Sequence, residues 1–429
     1  MSAPTTSRTP APTRARRRGG LFRHRDFRLL WTGQAVSSIG SNVTTVALPL
    51  VALAVLDATT FQVAVLTAAA WLPWLLVGLP AGAWVDRLRR RPVMIVCDLV
   101  SALLFLSVPV AAALGVLTIA QLLAVALGAG LARVFFETAD QAYLPTLLNP
   151  GEVPEGNAKL QATQTASYVV GPGLAGLIAQ LAGAVTALLL DALSFLVSAA
   201  CLGRIRAVEH RPPRVDGPPS LRREVAAGIR FVSGDPYLRV MTVFGAASNI
   251  GLTGYQAVLV VFLIRSAGLS PGLVGLLIGL ASLGGIVGAA IAAAVARRFG
   301  TARAMLLAAL GAGPPALLIP LAGPGLRVAW LLLGGVVVSL AVAVGNVVKG
   351  SFRQTYTPQA LLGRVTVSMQ LLNYGMIPLS AVLAGAIGAA YGPGRAIWVM
   401  TGWLAVTPLI LLVGPLRRRR DLPAAPEPA

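Results

Sequence analysis

Twelve separate stretches of this 429-residue chain stay apolar over 20 residues or more, the length a helix needs to cross a ~30 Å hydrocarbon core. They lie at about 28–55, 62–84, 92–114, 118–138, 158–182, 185–205, 237–264, 272–296, 303–322, 326–348, 363–390 and 394–415. A crossing segment must satisfy its own backbone N–H and C=O groups, so it is either a helix or a strand of a closed barrel. Barrel strands alternate apolar and polar residues over about 10 positions. These runs are continuous and rich in Leu and Ala, so they read as helices. Composition agrees: 56% of residues are hydrophobic and 12% charged, against about 25% charged in a soluble domain. So few charges cannot cover so much apolar side chain in water. The prediction is an all-α, multi-pass membrane protein.

The net charge of +20 invites a nucleic-acid reading, but the placement of the charges argues against it. All but four of the 35 Lys and Arg fall on the side of the predicted topology that holds both termini. The exceptions are Arg133, inside the fourth span, and Arg265, Arg327 and Arg395 on the opposite side. That asymmetry is the positive-inside pattern and puts both termini in the cytoplasm. It favours contact with anionic lipids and predicts no nucleic-acid partner. Residues 1–27 hold no apolar core of a signal peptide and read as a disordered basic cytoplasmic arm, with 416–429 as a cytoplasmic tail. Cys97 and Cys201 sit in apolar stretches, and His24 and His210 are isolated, so neither redox chemistry nor a metal site is expected. No G-x-x-x-x-G-K-[ST] occurs, and the glycines of span eight (Gly275, Gly279, Gly284, Gly285, Gly288) follow no strand. They read as close helix packing, not a dinucleotide fingerprint. No cofactor and no enzymatic activity are predicted.

The chain is also written twice. At shifts of 207–213 residues, Ser41-Asn42 falls on Ser248-Asn249, Asp26 on Asp235, and Arg87 on Arg297. Gln141, Tyr143 and Pro145 fall on Gln354, Tyr356 and Pro358. Four matches at nearly one shift indicate two related six-helix bundles, 28–205 and 237–415. The Arg- and Pro-rich stretch 206–236 is then a cytoplasmic linker, with 221–232 an amphipathic surface helix. Twelve spans as six plus six suit a transporter whose halves rock about a midplane site.

Between spans two and three the sequence reads GAWVDRLRRRPVM, with Gly82, Asp86, Arg87, Arg90 and Arg91 in the order of the signature loop of the major facilitator superfamily. The glycine usual before the later basic pair is Arg89 here. In span five, VVGPGLAGLI places Gly171, Pro172, Gly173 and Gly176 in a pattern that resembles the Gly-Pro motif of the family's exporters. YLPTLLNP before span five and LDALSFLVSA in span six are similar to the twelve-span exporters of the macrolide-efflux and enterobactin-exporter type. The resemblance implies the major facilitator fold, a bacterial cytoplasmic-membrane location, a small-molecule substrate, protons as coupling ion, and a monomer. It also implies that Asp86 faces the start of span eleven, near 363–366, in the outward-facing state. There it would meet the partial positive charge of a helix N-terminus. Arg90, with Asp140 or Glu137, would complete that latch.

Arg133 is the most informative residue for substrate. A charge at membrane depth costs about 2.5–3.5 kcal/mol on insertion scales unless it finds water or a partner, and Glu137 stands at i+4. The resemblance places helices one, four, seven and ten around the central cavity, so the pair is a candidate for the substrate and proton path. The alternative is that Arg133 snorkels to the surface. Further candidates are Gln34 and Asn42 in span one, Asn249 and Gln256 in span seven, Asn346 in span ten, and Asn373 and Tyr374 in span eleven. Helix-to-helix hydrogen bonding is their alternative role. Asp191, deep in span six, reads as structural. The expected function is secondary active export of small amphipathic compounds by proton antiport. Uptake or lysolipid flipping by the same fold, or a non-transporting membrane receptor, are the alternatives.

Overall fold

The computed structural model describes residues 20–85, 87–207, 209 and 221–423. Asp86, His210, most of the basic arm and the end of the tail lie outside the described residues. Twelve helices are long and apolar enough to cross a membrane. In the first half these are α1 (Arg25–Leu56), α2 (Thr60–Val85), α3 (Arg90–Ala113), α4 (Ile119–Leu147), α5 (Val153–Ala182) and α6 (Ala184–Arg204). The second half has α7 (Pro236–Ser266), α8 (Pro271–Phe299), α9 (Thr301–Leu321), α10 (Gly325–Tyr356), α11 (Gln359–Tyr391) and α12 (Pro393–Val413). An unlabelled helix, Leu221–Gly234, precedes α7.

Each predicted span is present, but several helices run past the apolar stretch that marks them. α4 continues to Leu147 and α10 to Tyr356, where the hydropathy falls away at 138 and 348. One face of each extension packs against protein. Tyr143, Leu144, Phe352 and Tyr356 are buried there, so the extensions are stabilised by packing that composition alone does not report. Pro314 and Pro408 interrupt α9 and α12. Lacking an N–H and clashing with the preceding turn, they leave a 3-10 stretch after Gly313 and a break at Thr407.

Pairing within the halves follows one plan. α1 packs on α5 and α6, α3 on α4 and α6, and α2 on α4; likewise α7 packs on α11 and α12, α9 on α10 and α12, and α8 on α10. The halves are two pseudo-symmetric six-helix bundles. Even a one-residue turn is repeated: Gly183 (φ 87°, ψ 150°) joins α5 to α6, and Gly392 (φ 89°, ψ 152°) joins α11 to α12. Both occupy the left-handed side, where a Cβ is unfavourable.

The halves meet along α2–α11 and α5–α8. At α5–α8 the backbones touch. A Cβ on Gly275 would lie 2.2 Å from the Pro172 carbonyl, and one on Gly176 would lie 2.4 Å from the Pro271 carbonyl. These contacts belong to the half of the bundle away from the chain termini, here called the far end. Arg265, in the last turn of α7, donates to the Asp57 carboxylate at the end of α1 across 2.5 Å. Gln180 accepts from the Gly272 N–H at 3.1 Å. The Leu221–Gly234 helix seats on α11, with Gly228 against Ser368 and the Arg364 carbonyl.

Candidate functional site

Arg133 stands midway along α4, about 20 Å from either helix end at 1.5 Å rise per residue. Its Nε donates to the Glu137 carboxylate across 2.6 Å. The arginine side chain is 47% exposed and the glutamate 35%, yet residues of three further helices surround them. The guanidinium lies 5.6 Å from the centre of the Trp71 ring on α2, within range of a cation–π attraction. Tyr374 of α11 packs its ring 6.0 Å from Trp71 and 6.1 Å from Trp74. Tyr168 of α5 and Tyr374 are both within electrostatic reach of Arg133. A side chain that is accessible and also ringed by α2, α5 and α11 opens into the space between the halves, not onto lipid. Glu137 offsets the cost of Arg133 at this depth.

The result is an internally neutral pair beside an aromatic box. Flat apolar groups can lie on Trp71, Trp74 and Tyr374, while the pair offers one donor and one acceptor. This suits an amphipathic molecule better than a sugar, which needs a dense set of hydrogen bonds. Among the described residues no group of three or more His, Cys, Asp or Glu is placed to hold a metal ion.

Residues 30–381 match the family model of the Major Facilitator Superfamily. The chain belongs to that superfamily. It is 30% identical over 407 residues to the multidrug efflux pump Tap of Mycolicibacterium fortuitum, covering 91% of this chain and 95% of Tap. It is 25% identical to the enterobactin exporter EntS of Citrobacter koseri, covering 95% and 96%. Among solved structures, a bacterial homologue of the iron transporter ferroportin in the inward-facing state superposes with a TM-score of 0.74 at 16% identity, over 94% of this chain and 100% of that one. One in the outward-facing state gives 0.60 at 15% identity, over 92% and 100%. These structural likenesses concern the fold. A superfamily transporter of this kind is a multi-pass protein of the bacterial cytoplasmic membrane and not an enzyme.

Against the superfamily frame, the polar residues read from sequence divide into two groups. Several hold helices together. The Gln34 amide donates to the Asp140 carboxylate, tying α1 to α4. Asn42 donates to the Ser38 carbonyl at 2.8 Å beneath Gly171, whose Cβ would lie 2.4 Å from the Asn42 side chain. Asn249 donates to the Asn373 carbonyl at 3.0 Å, and Ser380 donates to Thr253 at 3.0 Å, joining α7 to α11. Arg133, Glu137 and Tyr374 face the space between the halves, while Asn346 and Gln256 are exposed on α10 and α7.

In the superfamily's signature loop, Arg90 and Arg91 bind within the first half. Their backbone N–H groups donate to Glu209 at 2.7 and 3.2 Å, which satisfies free donors at the start of α3. The Arg91 side chain donates to the Leu202 and Gly203 carbonyls at 2.8 and 2.7 Å, closing the end of α6. Arg87 is exposed, and a Cβ on Gly82 would meet nothing within 4 Å. Asp140 faces Gln34 instead of Arg90. Sequence reasoning missed Trp71, Trp74, Tyr168 and Glu209. The i, i+3 spacing of the two tryptophans was the available signal for the aromatic box. For Glu209, in a loop, none was available.

Asp191 is fully buried in α6. It accepts from Thr44 of α1 and from Ser194 at 3.1 Å, and a Cβ on Gly40 would lie 2.4 Å from its carboxylate. No substrate fits there. Replacement by Leu, which leaves the buried Ser194 and half-buried Thr44 hydroxyls without this acceptor, is expected to cost about 1–3 kcal/mol of stability. Asn, which keeps an acceptor, is expected to preserve both melting temperature and transport. Thermal melts of the three proteins in detergent check this.

Proposed function

We propose that this protein is a secondary active exporter of small amphipathic organic compounds, working by proton antiport and alternating access, with both termini cytoplasmic. The observation that carries the reading is the Arg133–Glu137 pair in its aromatic box between the halves. Crossing contacts at Gly176–Gly275, Gln180–Gly272 and Asp57–Arg265 lie toward the far end, which fits a state open toward the cytoplasm. The relatives named for multidrug efflux and enterobactin export support outward transport.

Residues 28–205 and 237–415 act as the two rocking units, with 206–236 as the connection. Gly82, Asp86, Arg87, Arg90 and Arg91 form the cytoplasmic latch of the opposite, outward-facing state, with Asp140 at its edge. Glu137 is our choice for the proton-exchanging group because its carboxylate reaches the shared space, while Asp140 and Asp191 are engaged between helices. The driving force is adequate. Membrane potential supplies ~2.3 kcal/mol per charge per 100 mV and a pH unit ~1.4 kcal/mol. One proton at a combined ~150 mV therefore supports a gradient of roughly a few hundredfold.

The test is dye transport into inverted membrane vesicles acidified inside. A fluorescent amphipathic dye is expected to accumulate, release protons as it enters, and leak back when a protonophore is added. Accumulation that ignores the protonophore removes antiport. Failure to move any of a panel of anionic, neutral and cationic dyes removes export.

A further inference from the structure

Between Pro236 and Arg420 the sequence contains no Asp and no Glu, so the second bundle has no carboxylate at any depth. Its helix α10 nevertheless carries two cations in the turns that extend past its apolar stretch: Lys349 and, one turn nearer the termini, Arg353. With Asn346 they stand at i, i+3 and i+7, on one helical face. Asn346 and Lys349 line a cavity of about 100 Å³ together with Ser248 and Asn249 of α7 and Thr407 of α12. The Arg353 Nε is buried with no hydrogen-bond partner among the described residues. Neither cation forms an ion pair there. Arg353 is within electrostatic reach of Tyr374, which also feels Arg133 and Glu137. Asn249 in the cavity wall donates to the carbonyl of Asn373, the residue before Tyr374, so the cavity and the aromatic box adjoin through the α7–α11 contact.

The two bundles treat charge on their helices differently. In the first, Glu137 neutralises Arg133. In the second, two like charges one turn apart repel, and their own half offers nothing to balance them. Two neighbouring cations with no ion-pair partner among the described residues are balanced when an anion joins them from outside the bundle.

We propose that Lys349 and Arg353 form an anion-binding subsite for the acidic group of an amphipathic aromatic substrate, a carboxylate, phosphate or phenolate. The substrate's rings lie on Trp71, Trp74 and Tyr374, and Asn346 adds a neutral hydrogen bond. This names the substrate class of the exporter reading and rests on it.

The experiment uses the full chain in phosphatidylcholine nanodiscs, with no gradient, and two probes that share a fluorophore and differ in charge: dansylglycine, an anion, and dansylcadaverine, a cation. Dansylglycine is expected to bind at least about tenfold more tightly, the scale of one hydrogen bond to a charged group. Lys349→Gln should remove most of that preference, Lys349→Arg should retain it, and the cation's affinity should not fall in either. Should Lys349→Gln fail to fold, Asn346→Glu sets a carboxylate one turn away with both cations in place and is expected to erase the preference equally. Equal affinity for the two probes, or an unchanged preference in Lys349→Gln and Arg353→Gln, overturns the subsite. Loss of the preference when phosphatidylglycerol replaces phosphatidylcholine assigns the anion to a lipid headgroup and overturns the substrate assignment. Efflux without charge preference defeats only the subsite, whereas charge preference without efflux defeats only the exporter reading.

Discussion

Glu137→Gln is expected to abolish proton-coupled efflux, by about 100-fold or more, while the protein still inserts and still binds dye. Glutamine keeps a hydrogen-bond acceptor within reach of the Arg133 Nε, which now lies 2.6 Å from the carboxylate, but it cannot take up or release a proton. Binding should therefore weaken only modestly. The pair is partly exposed, so its strength lies between the ~0–1 kcal/mol of a surface bridge and the several kcal/mol of a buried one. A role in coupling and a role in binding separate by measurement. Exchange of dye against dye across vesicles, which needs no net proton movement, should survive in Glu137→Gln when pH-driven accumulation is lost. Arg133→Gln leaves the carboxylate without its cation and should impair both. If Glu137→Gln accumulates dye normally, the proton moves through another group and Glu137 serves only to hold Arg133.

The gross architecture was legible because it follows from quantities that survive averaging. Twelve runs of apolar side chain and a repeat near half the chain length each involve many residues. No single substitution would erase them. The repeat even anticipated local structure. Asp235 caps α7, accepting from the Tyr237 and Leu238 N–H groups at 3.0 and 2.8 Å. Tyr356 donates to the same carboxylate across 2.5 Å. Its counterpart Asp26 accepts from the Arg206 and Ala207 N–H groups, near the counterpart Tyr143.

What escaped was the direction in which a polar side chain points. Gln34 and Asn42 share a helical face by spacing, but spacing does not say whether that face meets substrate or a neighbouring helix. Asp140 answers for Gln34, and the close approach of Gly171 answers for Asn42. Arg353 escaped for the opposite reason. Its meaning lies in carboxylates that the second half does not contain.

The span-five motif makes the other large prediction, because its glycines perform different tasks. A Cβ on Gly171 would meet Asn42 of α1 at 2.4 Å, inside the first bundle. A Cβ on Gly176 would meet the Pro271 carbonyl at 2.4 Å and the Gly275 backbone at 2.9 Å, across the boundary between bundles. A Cβ on Gly173 would meet nothing within 4 Å. Alanine should therefore act differently at each site. At Gly173 it is expected to be neutral or slightly stabilising, since Ala exceeds Gly in helices by about 0.5–1 kcal/mol. At Gly171 it should overpack the bundle, costing about 1–3 kcal/mol, and lower the melting temperature. At Gly176 the clash exists only while α5 and α8 are closed at the far end. The expected result is a shift away from this state and near-complete loss of efflux from a protein that still folds. Labelling of a cysteine introduced at Gln180 by an impermeant maleimide, added from outside the cell, reads that shift. Gln180 accepts from Gly272 in the closed arrangement, so the cysteine should react several-fold faster when Gly176 is also alanine. Equal labelling with and without Gly176→Ala would show that the glycine contact packs the helices without controlling the opening.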